Sequence, residues 1–169
     1  MAESTSTSRE RIIALLMREP GLHLRALPGR VGLSLRSVRY HLDALAEESA
    51  VTPHRSGRFE RWFPSNTFSS EDRALISALH VRGQRSILKH LLQDGPARFV
   101  TIQSATGRSA ATVARDLDRL VTEGLVEQTS DRRYQLHDID ATRMRLALFR
   151  QRYPDLLGDA AQEIFEDTR

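Results

Sequence analysis

Cysteine is absent from this sequence of 169 residues, and lysine occurs once, at Lys89. Without cysteine the chain has no disulfide, no thiol nucleophile and no thiolate ligand for a metal. No apolar run approaches the roughly 20 residues needed to span a membrane, and residues 1–8 lack the apolar segment of a secretory signal. We therefore expect a soluble, cytoplasmic protein with no membrane partner.

Residue sets for catalysis or metal binding are missing as well. The six histidines are His23, His41, His54, His80, His90 and His137. None pairs with acidic residues on one helix face at a spacing that suits a metal ion. There is also no glycine-rich phosphate loop, nucleophile elbow or close pair of carboxylates. We therefore expect no catalytic residue, no metal site and no cofactor, so the protein should not be an enzyme.

The net positive charge of the chain is small and unevenly distributed. The formal net charge is only +3. Up to Asn66, ten arginines stand against seven acidic residues, whereas beyond it fifteen basic residues meet fifteen acidic ones. If one part of the chain binds a polyanion, this distribution favours the first part.

What the sequence does contain is one segment written twice, at a constant offset of 75 residues. Residues 32–45 read GLSLRSVRYHLDAL, and residues 107–120 read GRSAATVARDLDRL. The same offset pairs Ile12 with Ile87. Such a repeat indicates that one structural unit has been duplicated.

Local signals predict three helices in the first copy. The first helix is predicted over 8–18 with Ser8 as its N-cap, and a short helix ends near Val31. The third helix is predicted over 35–47, with Ser34 as its N-cap.

The third helix has two different faces. At 100° per residue, Val38, Leu42 and Leu45 lie together, whereas Arg36 and Tyr40 lie on the opposite side. One face is therefore expected in the core and the other, basic and aromatic, at the surface.

Alternating residues over 50–54 and 59–63 predict two strands, joined by a hairpin turn at 55–58. Helix, helix, turn, helix and hairpin is the order of a winged helix-turn-helix domain. We expect a mainly α fold with small β-hairpin wings, built from tandem winged helix-turn-helix domains and C-terminal amphipathic helices. The expected parts are a disordered tail (1–7), domain 1 (8–66), a linker helix (67–82), domain 2 (83–137) and a C-terminal extension (138–169).

Both copies resemble ArsR/MarR-like winged helix-turn-helix transcriptional regulators, and the tandem arrangement resembles a group of regulators frequent in archaea. The resemblance covers about residues 9–137 and is strongest over 32–45, where Gly-Leu-Ser, Ser-Val, His-Leu and Leu follow the family pattern. It implies that the third helix enters the major groove of double-stranded DNA and that the wing contacts the backbone or the minor groove. The absence of cysteine excludes the cysteine-dependent metal sensing of ArsR-type proteins.

The resemblance and the helix geometry together give candidate DNA-binding residues. Those of the recognition helix are Arg36, Ser37, Arg39, Tyr40 and His41. Those of the wing are His54, Arg55, Arg58 and Arg61. By its angle, His41 is nearly as well placed for a structural role in the core.

The second copy departs from the first at the expected DNA-facing positions. Ala111 replaces Arg36, Ala114 replaces Arg39, and Asp116 replaces His41. We expect the exposed face to lose positive charge and to gain a carboxylate that phosphates repel. Possible secondary DNA contacts remain at Thr112, Arg115, Arg132 and Arg133. Otherwise the second copy is expected to be a structural or dimerising module.

Two amphipathic helices are predicted beyond the second copy, over 139–153 and 154–167. The residues expected to form a homodimer interface are Phe149, Tyr153, Leu157, Ile164 and Phe165. Packing of the same stripe on its own domain is the alternative.

The sequence therefore predicts a sequence-specific, double-stranded DNA-binding transcriptional regulator that acts as a homodimer, with an unknown effector. The alternative is a tandem winged-helix module that binds proteins or chromatin and has no specific operator.

Overall fold

The computed structural model describes residues 2–156, with side chains from residue 7 onward. These residues form a mainly helical fold with two small antiparallel sheets, as the sequence predicted. The chain divides into two compact units, Met1–Arg73 and Ala74–Arg169. Among the described residues, no helix has the length and apolar character needed to cross a membrane.

The first unit follows the predicted order of elements. They are α1 (Ala2–Arg18), β1 (Leu22–His23), a 3-10 turn (Leu24–Ala26), α2 (Leu27–Val31), α3 (Leu35–Glu47), β2 (Val51–Ser56) and β3 (Phe59–Pro64). Helix α4 (Ser70–Leu79) follows, and the boundary between the two units lies within it. The sheet has the order β1-β3-β2 with antiparallel pairing, so β3 is its central strand.

The core of the first unit forms where α1 meets α3. Ile12 and Leu16 of α1 are fully buried, as are Val38 and Leu42 of α3. Burying each of these side chains contributes about 1.5–3 kcal/mol. The rotation of α3 about its axis is therefore set by its apolar stripe.

The start of α3 is fixed by two local features that the sequence predicted. Gly32 ends α2 with φ +70°, a left-handed conformation that costs glycine little. The Ser34 side chain then accepts a hydrogen bond of 3.1 Å from the backbone N–H of Ser37. This cap satisfies one of the free donors of the first helical turn.

The hairpin is longer than predicted. Ser56 pairs with Phe59, so the turn consists of Gly57 and Arg58 alone. Gly57 has φ +66°, which allows a tight turn of two residues. Both strands consequently extend further, and the wing projects with Arg58 at its tip.

Helix α1 begins at Ala2, inside the tail predicted over 1–7, so the helix start predicted at Ser8 is wrong. Ser8, the predicted N-cap, lies inside the helix and is buried. The segment contains neither glycine nor proline, and extending a helix that already exists gains one hydrogen bond per residue.

The second unit repeats the order of the first. After α4 come α5 (Arg82–Asp94), β4 (Ala97–Arg98), α6 (Phe99–Thr106), α7 (Ala110–Thr122), β5 (Val126–Gln128), β6 (Arg133–Leu136) and α8 (Ile139–Arg152). Its sheet has the matching order β4-β6-β5. Val51 pairs with Pro64 but Val126 pairs with Leu136, so the second hairpin is three residues shorter than the first.

The side of α8 that carries Phe149 and Tyr153 is already covered. Phe149 and Tyr153 are 2% and 9% exposed, with ring centroids 6.5 Å apart. They do not provide the exposed dimer surface that we expected, because the chain itself buries both rings. The other three residues of that interface lie outside the described residues; they are Leu157, Ile164 and Phe165. The helix predicted over 154–167 also runs beyond the described residues.

Helices α5 and α7 approach each other closely at Gly83. A Cβ atom placed on Gly83 would lie 2.0 Å from the Asp116 Oδ2 atom. Asp116 is 6% exposed, and this burial raises the pKa of its carboxyl group, although Arg115 and Arg108 act in the opposite direction. Only glycine leaves room for the buried carboxyl group at this position.

We expect Gly83→Ala to destabilise the protein by about 1–3 kcal/mol, because the new methyl group overlaps the Asp116 carboxyl group. Urea unfolding would measure the change in the free energy of unfolding. The matched control is Gly29→Ala, where a Cβ meets nothing within 4 Å. We expect that control to be neutral or stabilising by about 0.4–1 kcal/mol.

The double variant Gly83→Ala with Asp116→Ala distinguishes steric overlap with the Asp116 carboxyl group from the effect of alanine on the helix itself. If the close approach causes the loss, Gly83→Ala will cost much less in the Asp116→Ala background. Equal costs in both backgrounds would show that the approach is unimportant.

Candidate nucleic-acid interface

The outward face of α3 carries arginine and tyrosine side chains. Arg36, Arg39 and Tyr40 are exposed, and Tyr40 is 64% exposed although it is a large aromatic residue. Ser37 is half-buried, and its hydroxyl lies 2.9 Å from the Ser34 hydroxyl. The face that the helical period predicted to be basic and aromatic is therefore available to a partner.

His41 does not belong to this outward face. It is 8% exposed, and its Nδ1 atom has no hydrogen-bond partner among the described residues. Its ring contacts the Tyr40 ring edge-on at 5.4 Å between centroids. The prediction that His41 contacts DNA is wrong, because a residue three positions after Val38 is turned towards the core.

The matching position in the second unit shows the same orientation. Asp116 is buried, so it does not add a carboxylate to the outward face of α7, contrary to our expectation. Gly83, which faces Asp116, corresponds to Ser8 at the offset of 75, and Ser8 is buried as well. Positions 41 and 116 are thus packing positions in both units.

The wing presents two exposed cations, Arg55 and Arg58. The carboxylate of Glu60 lies 3.4 Å from Nε of Arg55 and 3.5 Å from Nη1 of Arg39. Arg39 belongs to α3, so a single carboxylate connects the helix to the hairpin.

Arg61, predicted as a wing contact, is a structural residue. It is 6% exposed, and its Nη1 atom donates a hydrogen bond of 2.9 Å to the backbone oxygen of Gly21. Burial lowers its pKa to about 10. The prediction was wrong because β3 is the central strand, where pairing with β1 covers Arg61.

His54 lies at the inner end of the wing. It is half-buried, and its ring packs edge-on against Phe63 with centroids 6.2 Å apart. This placement gives His54 a packing role beside the cations of the wing.

Sequence analysis missed Arg25, which is exposed on the 3-10 turn. It lies on the rim of a cleft of about 450 Å³ that Arg39 and Arg58 also line. His23 lines it too, and burial, with help from Arg61 and Arg25, lowers its pKa. No local signal marks Arg25, because three separate segments must fold together to form this cleft.

The matching face of the second unit is less basic. Ala111, Ala114 and Arg115 are exposed on α7, whereas Thr112 is half-buried and its hydroxyl accepts a hydrogen bond of 2.9 Å from Ser109. In the shorter hairpin Arg132 and Arg133 are exposed, and Arg133 forms an ion pair of 3.1 Å with Asp131. Arg115 and Arg132 are the cations of this face that remain most open to a partner.

Comparison with known proteins agrees with this geometry. Residues 6–52 match the winged helix-turn-helix DNA-binding family. The match covers α3 and most of α1, so the first unit has a winged helix-turn-helix fold, and the family points to a DNA-binding role. No curated protein matches the chain.

The solved structures to which this chain shows low similarity include the DIP2311 protein from Corynebacterium diphtheriae. It is 16% identical, the alignment covers 76% of this chain and 26% of that one, and the TM-score is 0.29.

The structural role of Arg61 and the exposed position of Arg58 can be distinguished by the free energy of unfolding of alanine variants. We expect Arg61→Ala to lower the free energy of unfolding by about 1.5–3 kcal/mol, because the buried Gly21 oxygen loses a charged donor. Arg58→Ala, at the exposed tip of the same hairpin, should change it by less than about 0.5 kcal/mol. Thermal or urea unfolding measures both, and equal effects would contradict the assignment of Arg61 to the core.

Proposed function

We propose that the chain is a sequence-specific, double-stranded DNA-binding transcriptional regulator whose helix α3 enters the major groove. One observation carries the proposal. The segment that matches a DNA-binding family presents Arg36 and Tyr40 outward, opposite its buried stripe, with Arg39 exposed at their side. An exposed tyrosine beside two arginines suits a partner that offers both phosphates and base edges.

The side chains divide by chemistry. Arg36 and Tyr40 are placed to contact base edges, which specify sequence. Ser37 and Arg39 contact phosphate or flanking atoms. Arg55 and Arg58 hold the adjacent backbone from the wing, without His41 and Arg61, which are buried.

The second unit has a different part in the proposed mechanism. We infer a tandem winged-helix regulator of the ArsR/MarR-like, archaeal type, with domain bounds near those expected from the sequence. Its second domain supplies geometry more than sequence readout, since Ala111 and Ala114 stand where the first domain has arginines. A homodimer would place two α3 helices on two half-sites.

A protein-binding or chromatin-associated module is the second candidate. The neutral outward face of α7 favours it, because such a face offers phosphates little attraction.

A random-oligonucleotide selection with the full chain at physiological salt distinguishes these functions. Enrichment of a two-fold motif is the outcome expected for a specific regulator. Binding without enrichment would indicate chromatin coating, and no binding would indicate a protein-interaction module.

On the selected DNA, we expect Arg36→Ala with Arg39→Ala to weaken binding by about ten- to a hundredfold, because a base contact and a phosphate contact are lost. The slope of log K against log salt concentration should become smaller by about 1. Fluorescence anisotropy at several salt concentrations measures both quantities.

The matched control is Arg98→Ala, which removes an exposed arginine from β4 in the second unit. It should leave affinity and slope nearly unchanged. Unaltered binding by the double variant would rule out α3 as the reading helix.

A further inference from the structure

The first unit contains a cleft that the proposed reading of DNA does not fully explain. It is formed by the 3-10 turn, α3 and the tip of the hairpin, with Arg25, Arg39, Arg58 and Phe59 in its walls together with the carboxylate of Glu60. Its volume of about 450 Å³ lies within the range of small-molecule sites, roughly 300–1,000 Å³.

Two of its arginines are not neutralised. Among the residues that the structure describes, neither Arg25 nor Arg58 forms an ion pair with a carboxylate, whereas Arg39 is held by Glu60. Guanidinium groups bind phosphate by paired hydrogen bonds. The cleft therefore offers two arginines to an anion.

An aromatic surface lies beside these arginines. Phe59 is 52% exposed, and its ring centroid is 6.3 Å from that of His23, with the planes inclined by 39°. Burial, with a contribution from Arg61 and Arg25, lowers the pKa of His23, which favours its neutral ring. An exposed phenylalanine at the end of a charged turn provides a flat apolar face for another ring.

We propose that this cleft binds a free nucleotide, with its phosphate on Arg25 and Arg58 and its base on Phe59. Arg39 and Arg58 also belong to the DNA-facing surface, so the nucleotide and DNA compete for them. This competition rests on the proposed function, whereas nucleotide binding itself does not.

The duplicated unit keeps only part of this set of residues. At the offset of 75, Val100 stands in place of Arg25, and Ala114 in place of Arg39. The second hairpin is three residues shorter, and at the same offset Arg133 and Tyr134 stand in place of Arg58 and Phe59. Strand pairing, however, places Tyr134 opposite Ala97, as Trp62 lies opposite Leu22, so Tyr134 takes the place of Trp62 in its sheet. The second copy therefore lacks counterparts of Arg25 and Arg39.

Isothermal titration of the full chain with AMP, adenosine and inorganic phosphate tests the site. We expect AMP to bind at least tenfold more tightly than either part alone, because only AMP engages the arginines and Phe59 together. Phe59→Ala and Arg25→Ala should each weaken AMP binding at least fivefold, and the control Arg98→Ala should not. All three changes lie at exposed positions, and circular dichroism confirms that each variant is folded.

Absence of AMP binding at millimolar concentration would overturn the proposal, as would binding that Phe59→Ala and Arg25→Ala leave unchanged. Equal affinity for phosphate and AMP would exclude a role for the ring. A 5′-phosphorylated thymidine oligomer tests whether the phosphate and base that occupy the cleft come from the end of a DNA strand. Binding of that oligomer without binding of AMP would also overturn the proposal of a free ligand.

Competition is measured separately, by anisotropy of labelled DNA from the selection. AMP should displace the DNA, and Arg36→Ala should weaken DNA binding while leaving AMP binding intact, since Arg36 does not line the cleft. If no DNA binds but AMP does, the proposed function fails and the nucleotide site stands. If DNA binds and AMP does not, the reverse holds.

Discussion

The rest of the first unit depends on the burial of Val38, Leu42 and Leu45 against α1. At 100° per residue, this stripe fixes the direction of every other side chain on α3. Turning the helix by a single residue would bring Arg39 towards the core, at the cost of burying an unpaired charge. The burial of apolar side chains and the exposure of charged ones on α3 therefore determine which residues a partner contacts.

The same constraint acts in α7, where Val113, Leu117 and Leu120 are buried. Because the core positions were kept after duplication, the outward positions were free to change without loss of the fold. Arginines at 36 and 39 became, or arose from, alanines at 111 and 114. A preserved core and a changed surface are what a division of roles between copies requires.

Much of this arrangement could be predicted from sequence, since the signals at α3 are local. Gly32, Ser34 and the apolar period gave its bounds correctly, from Leu35 to Glu47. Arg61 could not be predicted, because its burial arises from pairing of β3 with a two-residue strand about 40 positions earlier. The position of Arg25 in the cleft could not be predicted either, because its neighbours there come from distant segments.

The position of Glu60 between Arg39 and Arg55 has an electrostatic consequence. One carboxylate holds a cation of the recognition helix and a cation of the wing, so neither can change its electrostatic partner without altering the other. An anion that draws Arg39 away leaves Glu60 to Arg55 alone. Because both arginine side chains are exposed, each pair contributes at most about 1 kcal/mol, so an anion can take either cation from Glu60 at little cost.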